Sequence, residues 1–389
     1  MKKRLLGALL AIALGTTALA DAPRLAPTVE QAPAGNLAAM LLSRYHYAVR
    51  PLDDALSSEI FDRYLKSLDP ERLYFTQADI DSFAELRTRL DDAILQSDLQ
   101  PPFALYQRFD ERVAERFAEA RQLLQQDFDF SVAESYPLDR SKAPWPKDDD
   151  EARDLWRKRV KNDWLRLKLA GKDSQAIRET LGKRYDNALT RSRRTRSDDV
   201  FQTFMNAYAG AIEPHTSYLG RGAADSFDIS MRLSLVGIGA VLQERDEYIT
   251  IRELSPGGPA ARSGKLAAGD RIVGVGQGDG SPVVDVVGAR VDEVVKMIRG
   301  TKDTRVVLDI LPAGASPDAQ HKHVTLVRDK IKLEEQAARK SVIKGGGGQR
   351  IGVITLPAFY EDFEGRRRGD KDFRSASRDV ARLAEELKK

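Results

Sequence analysis

The sequence predicts a multidomain α+β protein: an all-helical N-terminal part, then a small β-barrel with two helices, then the start of an α/β unit. Three observations carry that prediction. Apolar residues recur at three- and four-residue spacing between Asn36 and about Asp199, short β-rich runs replace them after Phe227, and a Gly237-Ile238-Gly239 triplet stands directly before one of those runs. A chain of 389 residues suits two or three domains, and 42% hydrophobic with 31% charged content suits a globular protein with a real core.

Taken in order, residues 1–20 read as a secretory leader. Lys2, Lys3 and Arg4 precede an apolar stretch from Leu5 to Leu14, and Ala18-Leu19-Ala20 forms a cleavage pattern before Asp21. The apolar stretch is too short to span a bilayer, so the expectation is export to the periplasm without an integral membrane segment. The formal charge of +3 comes from 62 basic and 59 acidic residues; the leader holds three of the basic ones, and its removal leaves 59 against 59. Net charge therefore makes no case for nucleic acid. The one basic run, Arg191, Arg193, Arg194 and Arg196, lacks interleaved aromatic residues and runs into Asp198 and Asp199, which reads as a solvated helix end or connection. With no cysteine there is no disulfide framework, thiolate metal site or cysteine nucleophile.

Residues 21–35, rich in Ala and Pro, are expected to be a disordered linker, and 36–230 a helical domain with its connection. Leu56, Ile60, Tyr64 and Leu68 mark one amphipathic face; Leu155, Val160, Trp164 and Leu167 mark a looser one. Thr76 with Asp79 and Ser131 with Glu134 read as capping boxes, and Pro101-Pro102 and Ala143 to Pro146 punctuate the helices. His215, in Glu213-Pro-His-Thr-Ser-Tyr-Leu219, reads as a hydrogen-bonded loop residue, since no partner nucleophile lies near it. His321 and His323 form an H-x-H pair without a third ligand, which reads as structural or incidental.

From 231 to 328 short strands alternate with turns and two short helical stretches. Gly237-Ile238-Gly239 is not a dinucleotide fingerprint: the sixth position is Leu242, and a strand follows where a helix is needed. It reads either as a bulge or as a nest of converging N–H groups for a carboxylate, beside a strand edge to which a peptide can add. Val291, Val295 and Ile298, at i, i+4 and i+7 of one helical stretch, are the expected apolar floor. The candidate peptide-binding residues are therefore Gly237, Ile238, Gly239, Ala240, Val241, Val291, Val295 and Ile298.

This constellation resembles a PDZ domain. Gly237 to Ala240 stands where that fold has its G-Φ-G-Φ carboxylate loop, Leu266 to Gly276 matches the L-x-x-G-D-x-I-x-x-V-x-G stretch, and Ser255 to Gly264 matches the turn before it. The resemblance implies that a peptide's terminal carboxylate takes the amides of Ile238, Gly239 and Ala240. Ala240 replaces the larger residue common at the loop's fourth position. More widely, the chain resembles tail-specific, or carboxy-terminal processing, serine proteases, in Leu42 to Tyr47, Ser67 to Phe75, Glu213 to Leu219 and Val324 to Ala338. In this resemblance 329–389, with the strand Ile351 to Tyr360, is the beginning of a protease core.

The family's Ser–Lys dyad implies acyl-enzyme chemistry on polypeptides with apolar C-termini, with neither a metal nor an organic cofactor. Its nucleophile lies beyond an L-R-x-N-G-G-G segment that this sequence does not contain, so no catalytic residue is assigned and residues 1–389 alone are expected to be inactive. Phe373 to Asp379 is similar to the family's serine segment only superficially; Ser375 and Ser377 read as helix-face serines. The alternative is a non-catalytic periplasmic adaptor that binds protein C-termini. A trypsin-like exported protease lacks its nucleophile segment here, and a membrane metalloprotease lacks H-E-x-x-H and a spanning helix.

Overall fold

The structure, a computed structural model, describes residues 25–278, 280–333 and 336–389; the expected leader lies outside them. It divides into a unit ending at Tyr218 and a unit beginning at Leu219, earlier than the boundary expected at 230.

The first unit is helical: α1 (Gln31–Tyr45), α2 (Asp54–Leu68), α3 (Gln77–Ser82), α4 (Leu90–Leu95), α5 (Gln100–Leu123), α6 (Asp149–Leu169), α7 (Ser174–Arg193) and α8 (Ser197–Ile212). The 24-residue α5 serves two cores. Its first half packs Phe103, Leu105 and Tyr106 with Ile60, Phe61 and Tyr64 of α2 and Phe204 and Tyr208 of α8. Its second half packs Val113 and Phe117 with Trp156 and Trp164 of α6 and Leu181 and Tyr185 of α7. The expected α2 face, Leu56, Ile60, Tyr64 and Leu68, lies on the first of these cores, as 3.6-residue periodicity requires.

Two carboxylates tie the segment between α2 and α3. Asp69, 1% exposed, accepts the N–H groups of Leu73, Tyr74 and Phe75 at 2.8, 2.8 and 3.1 Å. Asp79 closes a capping box with Thr76 and also takes Arg108 Nε at 2.7 Å and Arg112 Nε at 2.8 Å. The second expected capping box does not form. No helix starts at Ser131; the Glu134 carboxylate is held by Arg157 and Lys161 of α6, and these charge-assisted bonds outweigh a single cap. The expected linker at 21–35 is also corrected from Leu25 onward. Leu25 packs on the first core, its carbonyl accepts from Gln107 Nε2 at 2.7 Å, and α1 already begins at Gln31 because Gly35 and Ala39 are small enough to lie flat on α8. The basic run falls at the C-terminal turn of α7 and the N-cap of α8, where cations at Arg191 and Arg193 complement the helix dipole.

The second unit is α+β. Helix α9 (Arg221–Arg232) leads into β1 (Ser234–Gly237), β2 (Ala240–Arg245) and β3 (Tyr248–Leu254). Then come α10 (Pro259–Ser263), β4 (Arg271–Gly276), β5 (Val284–Asp285), α11 (Val291–Ile298), β6 (Arg305–Leu311) and β7 (Lys322–Val327). The sheet runs β2-β3-β4-β6-β7, all antiparallel, with β5 paired to β4. Beneath it lies one core of Ile249, Ile251, Ile272, Val294, Ile298, Val306, Leu308 and Val324. Strand β8 (Asp329–Lys332) turns back to pair with β1. Beyond it, β9 (Arg339–Lys344) and β10 (Arg350–Thr355) form a hairpin, followed by α12 (Phe363–Arg367) and α13 (Ala376–Leu387). Tyr360 joins this last segment, donating its hydroxyl hydrogen to Asp379 Oδ2 at 2.7 Å and accepting Ala338 N–H at 3.0 Å.

Asp79 sets an acid-sensitive joint. Burial pushes its carboxyl up, but the bonds from Arg112, the Thr76 amide and Arg108 outweigh burial and hold it down at about 2. A carboxyl near 4 in the unfolded chain binds the proton first, so this stabilisation is present above about pH 4 and is lost as pH falls toward 2. Asp79→Ala is expected to lower unfolding stability of the helical unit by about 2 kcal/mol at pH 7 and by much less at pH 2.5, read from urea midpoints at the two pH values.

Candidate peptide-binding site

The Gly237–Ala240 loop links β1 to β2, and its shape follows from two glycines. Gly239 has φ +73°, a left-handed conformation that a residue with a Cβ adopts at a cost. A Cβ at Gly239 would also lie 3.1 Å from the Cα of Gly258 and 3.2 Å from Ile331 Cδ1. The loop thus lies backbone on backbone against the Ser255–Gly258 turn. Gly237 differs: its φ is not positive, and a Cβ there would meet two movable side chains, Leu235 Cδ1 at 3.2 Å and Arg299 Cγ at 3.8 Å.

The inner side of this loop is bonded. Ile238 O accepts from Ala260 N at 2.8 Å and Gly239 O from Ser255 N at 2.9 Å. Among the described residues the N–H groups of Ile238 and Gly239 do not donate to a carbonyl, and the two committed carbonyls turn the N–H groups in their own peptide planes, those of Gly239 and Ala240, away from the turn. Adjacent backbone amides around a left-handed glycine are the type of arrangement that can bind an anion. The Ile238 side chain points the other way, into the core, and is 3% exposed.

Strand β2 lies at the end of the sheet order, bonded on one side to β3, and among the described residues its outer edge has no partner. Helix α11 lies against β2 and β4. Ala240, Leu242 and Val291 are partly buried against the core to which Ile298 and Val294 belong. The expected floor residues divide. Ile298 is 4% exposed and buried, Val291 is half-buried on the core, and Val295 stays half-exposed outside it. Val294, fully buried, was not expected; its place at i+3 from Val291 puts it nearer the centre of the face than Val295. Val241 is half-exposed at a bulge between Val241 and Leu242.

The Gly269-Asp270 pair of the Leu266 to Gly276 stretch ties the neighbouring turn to β3. Gly269 N donates to Ile251 O and Ile251 N to Asp270 O, both at 2.8 Å, and the buried Asp270 carboxylate accepts Ala267 N and Ala313 N. Arg262, on α10, reaches the Gly257 carbonyl at 2.7 Å and Asp329 at 3.1 Å.

The other candidates have structural partners. The ring of His215 is exposed and bonds Glu213 at 2.5 Å, and this bond first of all lowers the Glu213 pKa. His323 pairs with Asp309 across the β6–β7 ladder, where the two residues stand in register. Among the described residues no group of three or more His, Asp or Glu could hold a metal. Ser375 is the N-cap of α13 rather than a helix-face residue: it is 4% exposed and its hydroxyl accepts Arg378 N–H at 3.3 Å and lies 3.2 Å from Ser377 Oγ. A serine before a helical run satisfies an orphan N–H, which is why the sequence pattern alone misplaces it by a turn.

A small antiparallel barrel with a Gly-x-Gly loop, an open strand and a flanking helix defines a PDZ domain, and the family model of that domain matches residues 227–311. Residues 38–221 match the model described as the tail-specific protease N-terminal domain. The two matches follow one another along the chain, first the tail-specific protease N-terminal domain model and then the PDZ model. It is 42% identical over 320 residues to a tail-specific protease of Haemophilus influenzae, a match covering 82% of this chain and 45% of that protein. A probable CtpA-like serine protease of Staphylococcus aureus is 31% identical over 153 residues, 39% of this chain and 27% of that one. The chain thus spans less than half the length of these relatives. A crystal structure of the PDZ domain of a carboxy-terminal protease from Vibrio cholerae, in complex with peptide, is 58% identical and covers 26% of this chain and 100% of that one, with a TM-score of 0.25. No helix among the described residues is long and apolar enough to cross a membrane.

The two glycines are expected to separate on substitution. Gly239→Ala should lower the thermal midpoint of the second unit, a loss of about 1–3 kcal/mol, because strain and backbone contact add. Gly237→Ala should cost under about 1 kcal/mol, because a side chain can move aside. Calorimetric scans of both variants that gave equal losses would contradict this account of the loop.

Proposed function

We propose that this chain is the substrate-recognising part of a periplasmic serine endopeptidase, in which the groove between β2 and α11 captures the apolar C-terminal tail of a polypeptide. The observation that carries the reading is the pair of uncommitted N–H groups at Ile238 and Gly239, placed at the end of an open strand edge. A peptide laid along β2 extends the sheet by main-chain bonds, which are indifferent to sequence, while its terminal carboxylate settles on the two amides and the following N–H of Ala240. Gly237 and Gly239 shape the loop, and Val241 borders the open edge. Val291 and Ile298, with Ala240 and Leu242, form an apolar bed for the last side chain, and the half-exposed Val295 borders it. The small Ala240 leaves room for that side chain, and specificity for apolar termini rests on this bed. Domain limits of 231–328 for the PDZ and 329–389 for the start of a protease core belong to the same reading, as does hydrolysis by a serine with a lysine base in the whole protein. Export follows from the basic and apolar pattern of the first 20 residues.

A labelled decapeptide ending in Ala-Val, offered as free acid and as C-terminal amide, tests the reading by fluorescence anisotropy on the full chain. The acid is expected to bind at least about tenfold more tightly, since a charge-assisted bond to two buried amides is lost on amidation. Val295→Asp should weaken the acid form by a similar factor while leaving the melting of the helical unit unchanged. Equal affinities for acid and amide would sink the carboxylate nest.

A further inference from the structure

Helix α11 presents an electrostatic problem to the site just proposed. Its C-terminus ends beside the Gly237 loop: Arg299, the C-cap, brings its Cγ within 3.8 Å of where a Cβ on Gly237 would stand. The C-terminal end of a helix carries a partial negative charge, concentrated on its unpaired carbonyls. A peptide carboxylate in the loop is therefore brought toward the wrong pole of α11.

Lys296 in the last turn and Arg299 at the C-cap are basic, but the basic side chain that bonds the last carbonyls is Arg328. Arg328, at the end of β7, is 2% exposed. Its guanidinium donates to Ile298 O at 2.8 Å and Met297 O at 3.0 Å, two of the last carbonyls of α11. Its other bonds go to Arg305 O at 2.7 Å, Gln277 Oε1 at 2.7 Å and Thr304 Oγ1 at 3.0 Å. All five acceptors are neutral, and among the described residues no carboxylate pairs with it. Arginine stays charged even when buried, so a whole positive charge lies uncompensated at this pole. A Cβ on Gly300 would come within 2.9 Å of Arg328 Nε, so the turn after α11 is shaped around the guanidinium. The next residue, Asp329, stands in register with Gly237 across the β1–β8 pair, which sets Arg328 one residue from the loop. The Asp329 carboxylate is itself drawn away by Arg262 at 3.1 Å and Lys302 at 3.9 Å.

We propose that Arg328 is a positioning residue that reverses the sign of the α11 C-terminus, so that the groove selects a polypeptide's free terminal carboxylate over an amidated or internal segment. It acts without touching the peptide, through the helix end it caps and the field of its unpaired charge. The inference rests on the groove proposed above. A purely structural Arg328 would support acid and amide ligands alike, so the ratio of the two affinities separates the roles.

The test measures that ratio on the full chain, with the Ala-Val decapeptide as acid and amide at low salt. Arg328→Met removes the charge and keeps the length; the acid-to-amide preference is expected to fall about three- to tenfold, as for a unit charge within a Debye length. Arg328→Lys keeps the charge, so its ratio should stay within about twofold of wild type even where both affinities drop. Gln277→Glu leaves the guanidinium in place and gives it a carboxylate partner in the same bond; its ratio should also fall about threefold or more. This variant decides the matter if Arg328→Met loses its native melting transition. Wild-type preference for the acid with an unchanged ratio in Arg328→Met and Gln277→Glu overturns the role of Arg328 alone. No preference in wild type overturns both it and the carboxylate nest.

Discussion

The second unit depends on one close approach: the backbone of Gly239 lying against the backbone of Gly258. Everything that makes the groove usable follows from it. The left-handed turn at Gly239 rotates two carbonyls toward the Ser255–Ala260 segment, where each finds a donor. The Ile238 carbonyl shares its peptide plane with the Gly239 N–H and the Gly239 carbonyl with the Ala240 N–H, and the two groups of a plane point opposite ways, so spending both carbonyls inward turns the Gly239 and Ala240 N–H groups outward. The orphaned amides are a consequence of how the loop is fastened. Asp270 and Arg262 then hold the surrounding turns, so the concavity is set before any ligand arrives. Preformed donors lose little entropy on binding, which is what lets so small a feature contribute measurable affinity.

The walls of the groove are held by different means. On one side β2 is fixed by its ladder to β3. On the other, α11 is only eight residues long and contributes little stability of its own. Its place is fixed by Val294 and Ile298 in the core and by Arg328 at its last carbonyls. Buried charge is costly, and a carbonyl cage of neutral acceptors returns part of that cost without cancelling the charge. The electrostatics of the groove end and the anchoring of its helix are thus the same set of bonds.

Much of this was legible in the sequence where local chemistry dictates geometry. The change from helical to alternating periodicity near Phe227 locates the sheet, Thr76 with Asp79 forms its capping box, and Gly237-Ile238-Gly239 lies at a tight loop before a strand. Failures came where a distant partner decides. Ser131 and Glu134 have the spacing of a cap, but Arg157 and Lys161, more than 20 residues away, claim the carboxylate. Residues 25–35 have a linker's composition, yet Leu25 finds a core and the small Gly35 and Ala39 let α1 lie close to α8. Val294 was missed because a one-residue shift along a short helix barely changes its apolar pattern. Arg328 directly follows β7, whose sequence Lys322-His-Val-Thr-Leu-Val327 alternates like an ordinary half-buried strand, and nothing in that pattern marks the arginine; only the folded chain brings five acceptors around it.

An open strand edge is normally a hazard, since it offers its unpaired groups to any extended chain. The course of β2 narrows that hazard. The far end of the strand, Gln243, Glu244 and Arg245, is exposed and largely charged. A second copy of the sheet adding along the whole edge would meet those charges. A short tail entering from the loop end, as in the proposed binding mode, would meet the loop amides and apolar residues first. The same strand that could accept one short extended segment therefore discourages a long one, and the discrimination lies in where along its six residues apolar side chains give way to charged ones.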